Sequence, residues 1–306
     1  MLVQRNVLIF HLGALGDFLL TWPIAIALGR LYPQSRIFYV THANKGRLAE
    51  QVLRIESADI ENGWHSLFSE IATLPPASEK LLSGAHTVVS FLSNGGDAWA
   101  ANVRRIAPQA NLITLNGPTL ESPPVDEHAS QFIARQLQPW PAVAKAVEQI
   151  ARSITERGLG GSIAPKELIV IHPGSGAERK CWPVDRFADL ARRLQADGRT
   201  VRFTIGEAEL DRWPKDALRK LADAAQIEQP RDLVELWRLI NGASAFIGND
   251  SGPAHLAGML GVPTIVLYGP TKPEIWKPIG PKVTAISVGS LDAISIDDVL
   301  RVVRHT

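Results

Sequence analysis

The segment from Ala245 to Pro281 constrains the fold of this chain more than any other, because it has the pattern strand, loop, helix, strand. An apolar run, Ala245–Ile247, passes through a polar loop into a stretch that begins with Gly252 and Pro253. A second apolar run, Pro263–Leu267, follows and ends in another loop that contains Gly and Pro. Buried strands joined by helices pair in parallel, so the segment predicts an α/β architecture.

The start of the predicted helix in this segment has two interpretations. Asp250 or Ser251 is a natural N-cap, and Pro253 is tolerated in a first helical turn because its missing N–H would be unpaired there. The segment could therefore be a well-capped helix and nothing more. The same arrangement presents free N–H groups and a positive dipole end, which suit an anion such as phosphate. His255, in the same helix, is either a packed residue or a ligand contact.

Short apolar runs alternate with longer amphipathic runs along the whole chain. A stretch rich in Gly and ending in Pro, residues 158–165, reads as a linker between two such series. The pattern predicts two open α/β domains facing a central cleft. The predicted strands are Asn6–His11, Arg36–Thr41, Thr87–Leu92, Leu112–Leu115, Leu168–His172 and Thr200–Ile205, and the predicted helices are Asp17–Leu31, Gly96–Ile106, Asp126–Arg157 with a break at Pro139–Pro141, Val184–Ala196, Asp216–Ala225, Asp232–Ile240 and Ile294–Val303.

Composition excludes several classes of function. The 306 residues carry 32 Lys and Arg against 31 Asp and Glu, so no net charge attracts the chain to nucleic acid. Cys181 is the only cysteine, which excludes a disulfide framework and a cysteine-based zinc site. Histidine and acidic residues show no metal-binding spacing, so we expect no metal. No stretch reaches the roughly 18 apolar residues of a membrane-spanning helix, and we expect a cytoplasmic protein.

The first motif with possible chemistry is the loop from His11 to Asp17. Gly13 and Gly16 let the backbone approach something bulky, but the spacing G-x-G-x-x-G is absent and no acidic residue ends the second strand. The pattern therefore argues against a nicotinamide cofactor. Asp17 lies where the helix begins, so it is either a helix cap or a carboxylate placed as a general base.

Two further loops follow predicted strands after the linker. Gly174, Ser175 and Gly176 precede Lys180, and backbone N–H groups with an ammonium would suit a pyrophosphate; a solvated loop with exposed basic residues is the alternative. Glu207 and Glu209 follow the next strand, where a carboxylate can accept from ribose hydroxyls or simply favour the first turn of a helix.

Together these segments resemble glycosyltransferase family 9, the ADP-heptose:lipopolysaccharide heptosyltransferases. The similarity lies in GALGDFLLTWP near the start, IHPGSGAERKCWP after the linker and FIGNDSGPAHLAGMLGVPTIVLYGPTKPEIWKPIGP near the end. The resemblance implies a GT-B fold of two Rossmann-like domains and an inverting, metal-independent transfer without a cofactor. It implies an acceptor-binding domain over residues 1–157, a linker over 158–165 and a donor-binding domain over 166–290. The last residues, 291–306, are expected to form a helix that packs back on the first domain.

The resemblance also assigns roles to residues. Asp17 would be the catalytic base, with Gly13 and Gly16 in the acceptor-side loop, and loops Asn44–Arg47 and Ser93–Trp99 would select the acceptor. Glu209 is preferred over Glu207 as the nucleotide contact. The implied partners are a nucleoside-diphosphate sugar, most simply ADP-heptose, and a glycolipid or glycan acceptor that could bring peripheral membrane association. Alternatives are a sugar-nucleotide epimerase and an inactive binding subunit. The donor-binding residues would be Gly174, Ser175, Gly176, Lys180, Glu209, Asp250, Ser251, Gly252 and His255.

Overall fold

The computed structural model describes residues 5–118, 127–160 and 167–304, which separate into two compact units. The first unit contains the chain up to residue 124 together with 129–150, and the second contains 125–128 and all residues from 151 onward. The division thus falls at residue 150, inside a helix, rather than at the expected linker, 158–165. Residues 161–165 of that linker lie outside the described part of the chain.

The first unit alternates strands and helices from its start. Its strands bury the apolar runs of the sequence, and its helices begin after polar or glycine-containing loops. The elements are β1 (Asn6–Phe10), α1 (Leu15–Leu20), α2 (Trp22–Leu31), β2 (Arg36–Thr41), α3 (Ala43–Leu53), β3 (Glu56–Asp59), a 3-10 turn (Trp64–Phe68), α4 (Pro76–Ser83), β4 (Ala85–Ser90), α5 (Ala98–Ile106), β5 (Asn111–Thr114), α6 (Ala129–Arg135) and the start of α7 (Pro141–Arg157).

The strands of the first unit form a parallel sheet in the order β3-β2-β1-β4-β5. The central strand β1 is completely buried, and its aromatic residue Phe10 packs edge-on against Trp64 and Trp99. The strands β2 and β3 lie on one side of β1, and β4 and β5 lie on the other. The strand order therefore reverses between β1 and β4, where ligands bind in open α/β sheets.

The second unit repeats the same plan. Its elements are β6 (Leu168–His172), a 3-10 turn (Glu178–Lys180), α8 (Val184–Ala196), β7 (Thr200–Thr204), α9 (Glu207–Arg212), α10 (Lys215–Ala222), β8 (Gln226–Glu228), α11 (Leu233–Asn241), β9 (Ala245–Asn249), α12 (Gly252–Leu260), β10 (Thr264–Tyr268), α13 (Pro273–Trp276), β11 (Val283–Ser287), a 3-10 turn (Leu291–Ala293) and α14 (Ile296–Val303). The parallel sheet has the order β11-β10-β9-β6-β7-β8, so here the order reverses between β6 and β9.

Two expectations about helices need correction. The helix predicted over Asp17–Leu31 is divided into α1 and α2 at Thr21, because Pro23 in the first turn of α2 has no N–H to continue the helix. The last helix, α14, was expected to pack back on the first domain. Its buried residues Val299 and Leu300 belong to the core of the second unit, among side chains of α8 and β10, since its apolar face matches that sheet.

The break expected at Pro139–Pro141 is present, with Pro141 as the first residue of α7. The predicted start of that helical region, Asp126, lies outside the described residues. None of the helices in the described ranges is long and apolar enough to cross a membrane.

Candidate functional site

The carboxyl ends of β6 and β9 lie side by side at the point where the strand order of the second sheet reverses. The two strands pair in register with His172 opposite Gly248. Consequently the loop Pro173–Gly176 and the residues Asp250–Gly252 leave the sheet at the same edge. The two sequence motifs that we predicted to bind the sugar-nucleotide donor therefore lie next to each other.

Asn249 holds these two loops in place. Its side-chain amide donates to the carbonyl of Pro173 at 2.8 Å, and its Oδ1 accepts from the backbone N–H of Trp182 at 2.9 Å. The side chain is fully buried. Sequence reasoning did not single out Asn249, although its position between the strand and Asp250 is a usable signal. Asn249 therefore connects the end of β9 to the segment that follows β6.

Asp250 is the centre of the polar contacts at this edge. Its Oδ2 accepts from Lys180 Nζ at 2.8 Å and from Thr271 Oγ1 at 2.9 Å. Its backbone carbonyl accepts from Ser175 Oγ at 2.7 Å. Lys180 and Asp250 expose only 13% and 7% of their side chains. Thr271, in the loop after β10, is a site residue that sequence reasoning did not single out.

The start of α12 differs in detail from the expected cap. Ser251 occupies the N-cap position and its carbonyl accepts from His255 N–H, but its hydroxyl makes no capping hydrogen bond. The Ser251 Oγ atom is buried and has no partner among the described residues. Buried hydroxyls are normally hydrogen-bonded. An unpartnered hydroxyl at a helix N-terminus is a group available to a ligand.

His255 lies in the first turns of α12, close to Asp250. It is 5% exposed, and burial lowers its pKa to about 4; the Asp250 charge opposes this shift, while His128 and Lys180 contribute to it. The imidazole is therefore neutral at pH 7. His255 is a buried residue of α12, as one of its two sequence interpretations expects, and its contact with a ligand stays a prediction.

Glu209 lies on the other side of the glycine loop. Its carboxylate is 4% exposed, and Oε2 accepts from Gly206 N–H at 2.8 Å at the start of α9. A Cβ atom on Gly174 would overlap the Glu209 carboxylate, so the loop can pass there only as glycine. Glu207 is exposed. The structure thus places Glu209, and not Glu207, against the loop.

Arg212 and His172 complete the support of that loop. The Arg212 guanidinium donates to the Ser175 carbonyl at 3.1 Å and lies 3.9 Å from Glu209. The His172 ring contacts the Thr204 carbonyl through Nδ1 at 2.9 Å; burial lowers its pKa, and the Glu209 charge opposes the shift. The Arg212 contact holds the loop at Ser175, and the His172 contact holds the end of β6, from which the loop departs.

In the first unit, Asp17 lies at the edge of the sheet where β1 ends. It is half-buried in the first turn of α1, whose N-cap is Ala14. Gly13 is needed because a Cβ there would lie 2.9 Å from the His11 ring and 3.4 Å from Asp17 Cβ. Gly16 belongs to the same first turn as Asp17. Asp17 is therefore a helix residue near the loop rather than the cap itself.

Lys45 is a buried neighbour of this loop that sequence reasoning named only as part of the range Asn44–Arg47. Its Nζ donates to the carbonyls of Gly13 at 2.5 Å and Leu12 at 3.2 Å, and the side chain is 9% exposed overall. Residues Asn44–Arg47, expected in an acceptor-selecting loop, lie in the first turns of α3. The second expected loop, Ser93–Trp99, does follow β4, and Asp97 within it caps α5 by accepting from Ala100 N–H at 3.0 Å.

In residues 5–118, 127–160 and 167–304 there is no group of three or more His, Cys, Asp or Glu side chains arranged to hold a metal ion.

Comparisons with known proteins agree with the resemblance seen in the motifs. The sequence model of glycosyltransferase family 9 (heptosyltransferase) matches residues 115–297. Lipopolysaccharide heptosyltransferase 3 of Escherichia coli K12 is 25% identical over 288 residues, which cover 86% of this chain and 82% of that protein.

Solved structures resemble the chain over almost its whole length. ADP-heptose LPS heptosyltransferase II of E. coli has a TM-score of 0.69 at 18% identity and covers 98% of both chains. The E. coli heptosyltransferase WaaC with ADP has a TM-score of 0.66 at 17% identity, with 98% of this chain and 99% of that chain covered. This likeness establishes the fold as GT-B type, with the two parallel sheets described above. Because the family match spans more than half of the sequence, the chain belongs to glycosyltransferase family 9, the heptosyltransferases.

Proposed function

We propose that this enzyme transfers a heptose from ADP-heptose to a hydroxyl of a lipopolysaccharide-core acceptor, with inversion and without a metal ion. Family membership supports the reaction class. The choice of donor is supported by the names of its structural relatives, WaaC with ADP and WaaC with ADP-2-deoxy-2-fluoro heptose. A lipid-linked acceptor would hold the enzyme peripherally at the inner face of the inner membrane during transfer.

The observation that carries the donor assignment is the cluster at the start of α12. Lys180 is held 2.8 Å from Asp250, next to the buried and unpartnered Ser251 hydroxyl. A departing nucleoside diphosphate gains negative charge. In our proposal this charge is stabilised by the Lys180 ammonium, the backbone N–H groups of Gly174–Gly176 and the N-terminus of α12.

Asp250 has a different role in the proposal, since a carboxylate repels phosphate. Both described hydrogen bonds to its carboxylate go to Oδ2. We assign Oδ1 to a hydroxyl of the transferred sugar. We propose Glu209, and not Glu207, as the contact to the nucleotide. Glu209 is buried and its carboxylate packs against Gly174 in the glycine loop. His255 contributes to the donor site as a neutral, buried side chain of α12.

Asp17 is the proposed general base. The acceptor oxygen forms a bond to the anomeric carbon while the bond from that carbon to the diphosphate oxygen breaks. The acceptor proton passes to the Asp17 carboxylate, which makes the hydroxyl a competent nucleophile. Attack opposite to the leaving group inverts the anomeric centre. The first unit, with Gly13 and Gly16 in its loop, thus supplies the base, and the second unit supplies the donor site.

The decisive experiment incubates the enzyme with ADP-heptose, with and without a lipid A–inner core acceptor. We expect acceptor-dependent release of ADP, transfer of heptose with inversion detected by NMR, and unchanged turnover in excess EDTA. Asp17→Asn should lower turnover at least about 100-fold, the lower range for general-base catalysis, with unchanged affinity for ADP. Glu79→Gln, at an exposed position in α4, is the matched control and should retain activity.

Three results would contradict this proposal. Near-normal turnover of Asp17→Asn would remove Asp17 as the base. Isomerisation of the heptose without transfer would indicate an epimerase. Binding of ADP-heptose without any reaction would indicate a binding subunit.

A further inference from the structure

Lys45 occupies an unusual position for a lysine. The side chain is 9% exposed, on the third residue of α3, and a buried ammonium is costly unless it is paired. Burial lowers the pKa of Lys45, and the charge of Asp17 opposes that shift. Asp17 therefore lies close enough to Lys45 for the two opposite charges to interact.

The same ammonium fixes the loop that leads into α1. It donates to the carbonyls of Leu12 and Gly13, two of the four residues between the end of β1 and the start of α1. Gly13 in turn rests on the His11 ring. A charged group from α3 thus binds the loop that follows β1, through contacts between residues 33 and 32 positions apart in the sequence.

His11 is the second titratable group beside this loop. Burial lowers its pKa to about 3, and the Lys45 charge contributes to the shift. The imidazole is therefore neutral throughout the pH range in which enzymes are usually assayed. His11 supports the loop by packing against Phe18 and Phe91, with ring centroids at 5.7 and 5.3 Å. Of the two groups, only Lys45 brings a charge to the neighbourhood of Asp17.

We propose that Lys45 is a positioning residue for the transfer reaction: it fixes the Leu12–Gly13 turn, which lies beside Asp17, and places a positive charge near that carboxylate. The inference rests on the proposed role of Asp17 as the base. An ammonium near a carboxylate favours the charged form of both. Lys45 itself does not touch the substrate, so its loss should change the pH range of activity rather than the affinity for the donor.

The test uses three variants of the full-length enzyme. Lys45→Gln keeps an N–H donor for the carbonyls but loses the charge, Lys45→Arg keeps the charge, and Lys80→Gln removes a charge from an exposed site in α4. For each, kcat/KM for the acceptor is measured from pH 4 to 9 with saturating ADP-heptose, together with the affinity for ADP.

We expect Lys45→Gln to move the acid limb of the profile upward by about half a pH unit or more, because Asp17 would then be protonated more readily. Lys45→Arg should restore the limb, and Lys80→Gln should leave it unchanged. ADP affinity should stay within about twofold of the wild type in all three. An unmoved acid limb in Lys45→Gln, or the same upward shift in Lys45→Arg, would overturn the inference.

If Lys45→Gln does not fold, the Lys45→Arg profile decides the matter. An acid limb at the wild-type pH supports the charge as the active feature, and a displaced limb contradicts it. Failure of the proposed function is recognised separately. In that case Asp17→Asn would turn over normally, whatever happens at Lys45.

Discussion

Lys180 and Asp250 form a buried ion pair in which Nζ lies 2.8 Å from Oδ2. The pair connects the segment after β6 to the start of α12, across the point where the strand order reverses. Thr271 donates to the same oxygen at 2.9 Å, so Asp250 keeps one partner when Lys180 is replaced. The contribution of Lys180 to stability can therefore be separated from its contribution to nucleotide binding.

Lys180→Met should weaken binding of ADP about 10- to 100-fold, because one charge-assisted hydrogen bond is lost, worth about 1.5–3 kcal/mol. The variant also leaves Asp250 with an unbalanced negative charge beside the diphosphate. Titration calorimetry with ADP measures the effect. Unchanged affinity would exclude Lys180 as the phosphate contact.

The stability of the same variant should fall by about 2–4 kcal/mol in urea unfolding, since removing one partner of a buried pair leaves an uncompensated charge. The double variant Lys180→Met with Asp250→Asn should recover part of this loss, because no charge is then left unpaired. A double variant at least as unstable as the sum of the two single variants would show that the pair is not coupled.

Gly174→Ala should destabilise the protein by about 1–3 kcal/mol, the usual cost of forcing extra atoms into a packed site. The new methyl group would overlap the Glu209 carboxylate and push apart the loop and α9. ADP affinity should fall with it. Gly176→Ala is the matched control, because a Cβ there meets nothing within 4 Å. Equal stabilities of the two variants would contradict the described packing.

The sequence predicted most of this fold because its central strands are short, buried and apolar. Leu168–His172 was predicted with the residues that the structure shows. The strands that escaped prediction lie at sheet edges. Glu56–Asp59 is half exposed along its length, Gln226–Glu228 has three residues, and Val283–Ser287 has one buried residue. Their pairing depends on neighbouring strands rather than on an apolar pattern of their own.

Residues of the candidate site could be predicted where they belong to a motif that follows a strand. They could not be predicted where only a contact with a distant part of the sequence brings them to the site. Asp250, Ser251 and Lys180 stand in readable motifs. Thr271 and Lys45 do not, because each becomes part of a site only through a partner more than twenty residues away. The unpartnered hydroxyl of Ser251 could not be predicted either, since a serine at that position normally caps the helix.

His255 makes the stability of the protein depend on pH. Its pKa in the folded protein is about 4, against the ordinary value of 6.5 for the unfolded chain, so the unfolded state binds more protons between these two pH values. The contribution of His255 to the free energy of unfolding is fully present above pH 6.5 and decreases as the pH falls below that value. The loss from pH 7.5 to 5.0 should be about 2 kcal/mol.

Urea unfolding of His255→Gln at both pH values isolates that contribution. The variant should be less pH-dependent than the wild type by about 2 kcal/mol, since it lacks the group that takes up the proton on unfolding. His65→Gln, at an exposed position, should keep the wild-type dependence. A pH dependence of His255→Gln equal to that of the wild type would contradict the burial of this imidazole.

Ser251 and Ser295 should respond to alanine substitution in opposite ways. Ser251 Oγ has no partner among the residues that the structure describes, so Ser251→Ala should leave the unfolding free energy unchanged within about 0.5 kcal/mol. It should nevertheless weaken ADP binding about 10- to 100-fold, as expected for the loss of one hydrogen bond to a charged group, worth about 1.5–3 kcal/mol. Ser295 Oγ caps α14 by accepting from Asp298 N–H at 3.2 Å and donating to its carboxylate at 2.6 Å.

Ser295→Ala should therefore lose about 1 kcal/mol of stability and keep its affinity for ADP. Urea unfolding and calorimetry on both variants give the two quantities. A loss of stability in Ser251→Ala with unchanged ADP affinity would show that this hydroxyl serves the fold. We expect the opposite: Ser251→Ala should keep its stability and lose ADP affinity. That result would assign the Ser251 hydroxyl to ligand binding, because a buried hydroxyl without a partner among the described residues gains its hydrogen bond when the nucleotide binds.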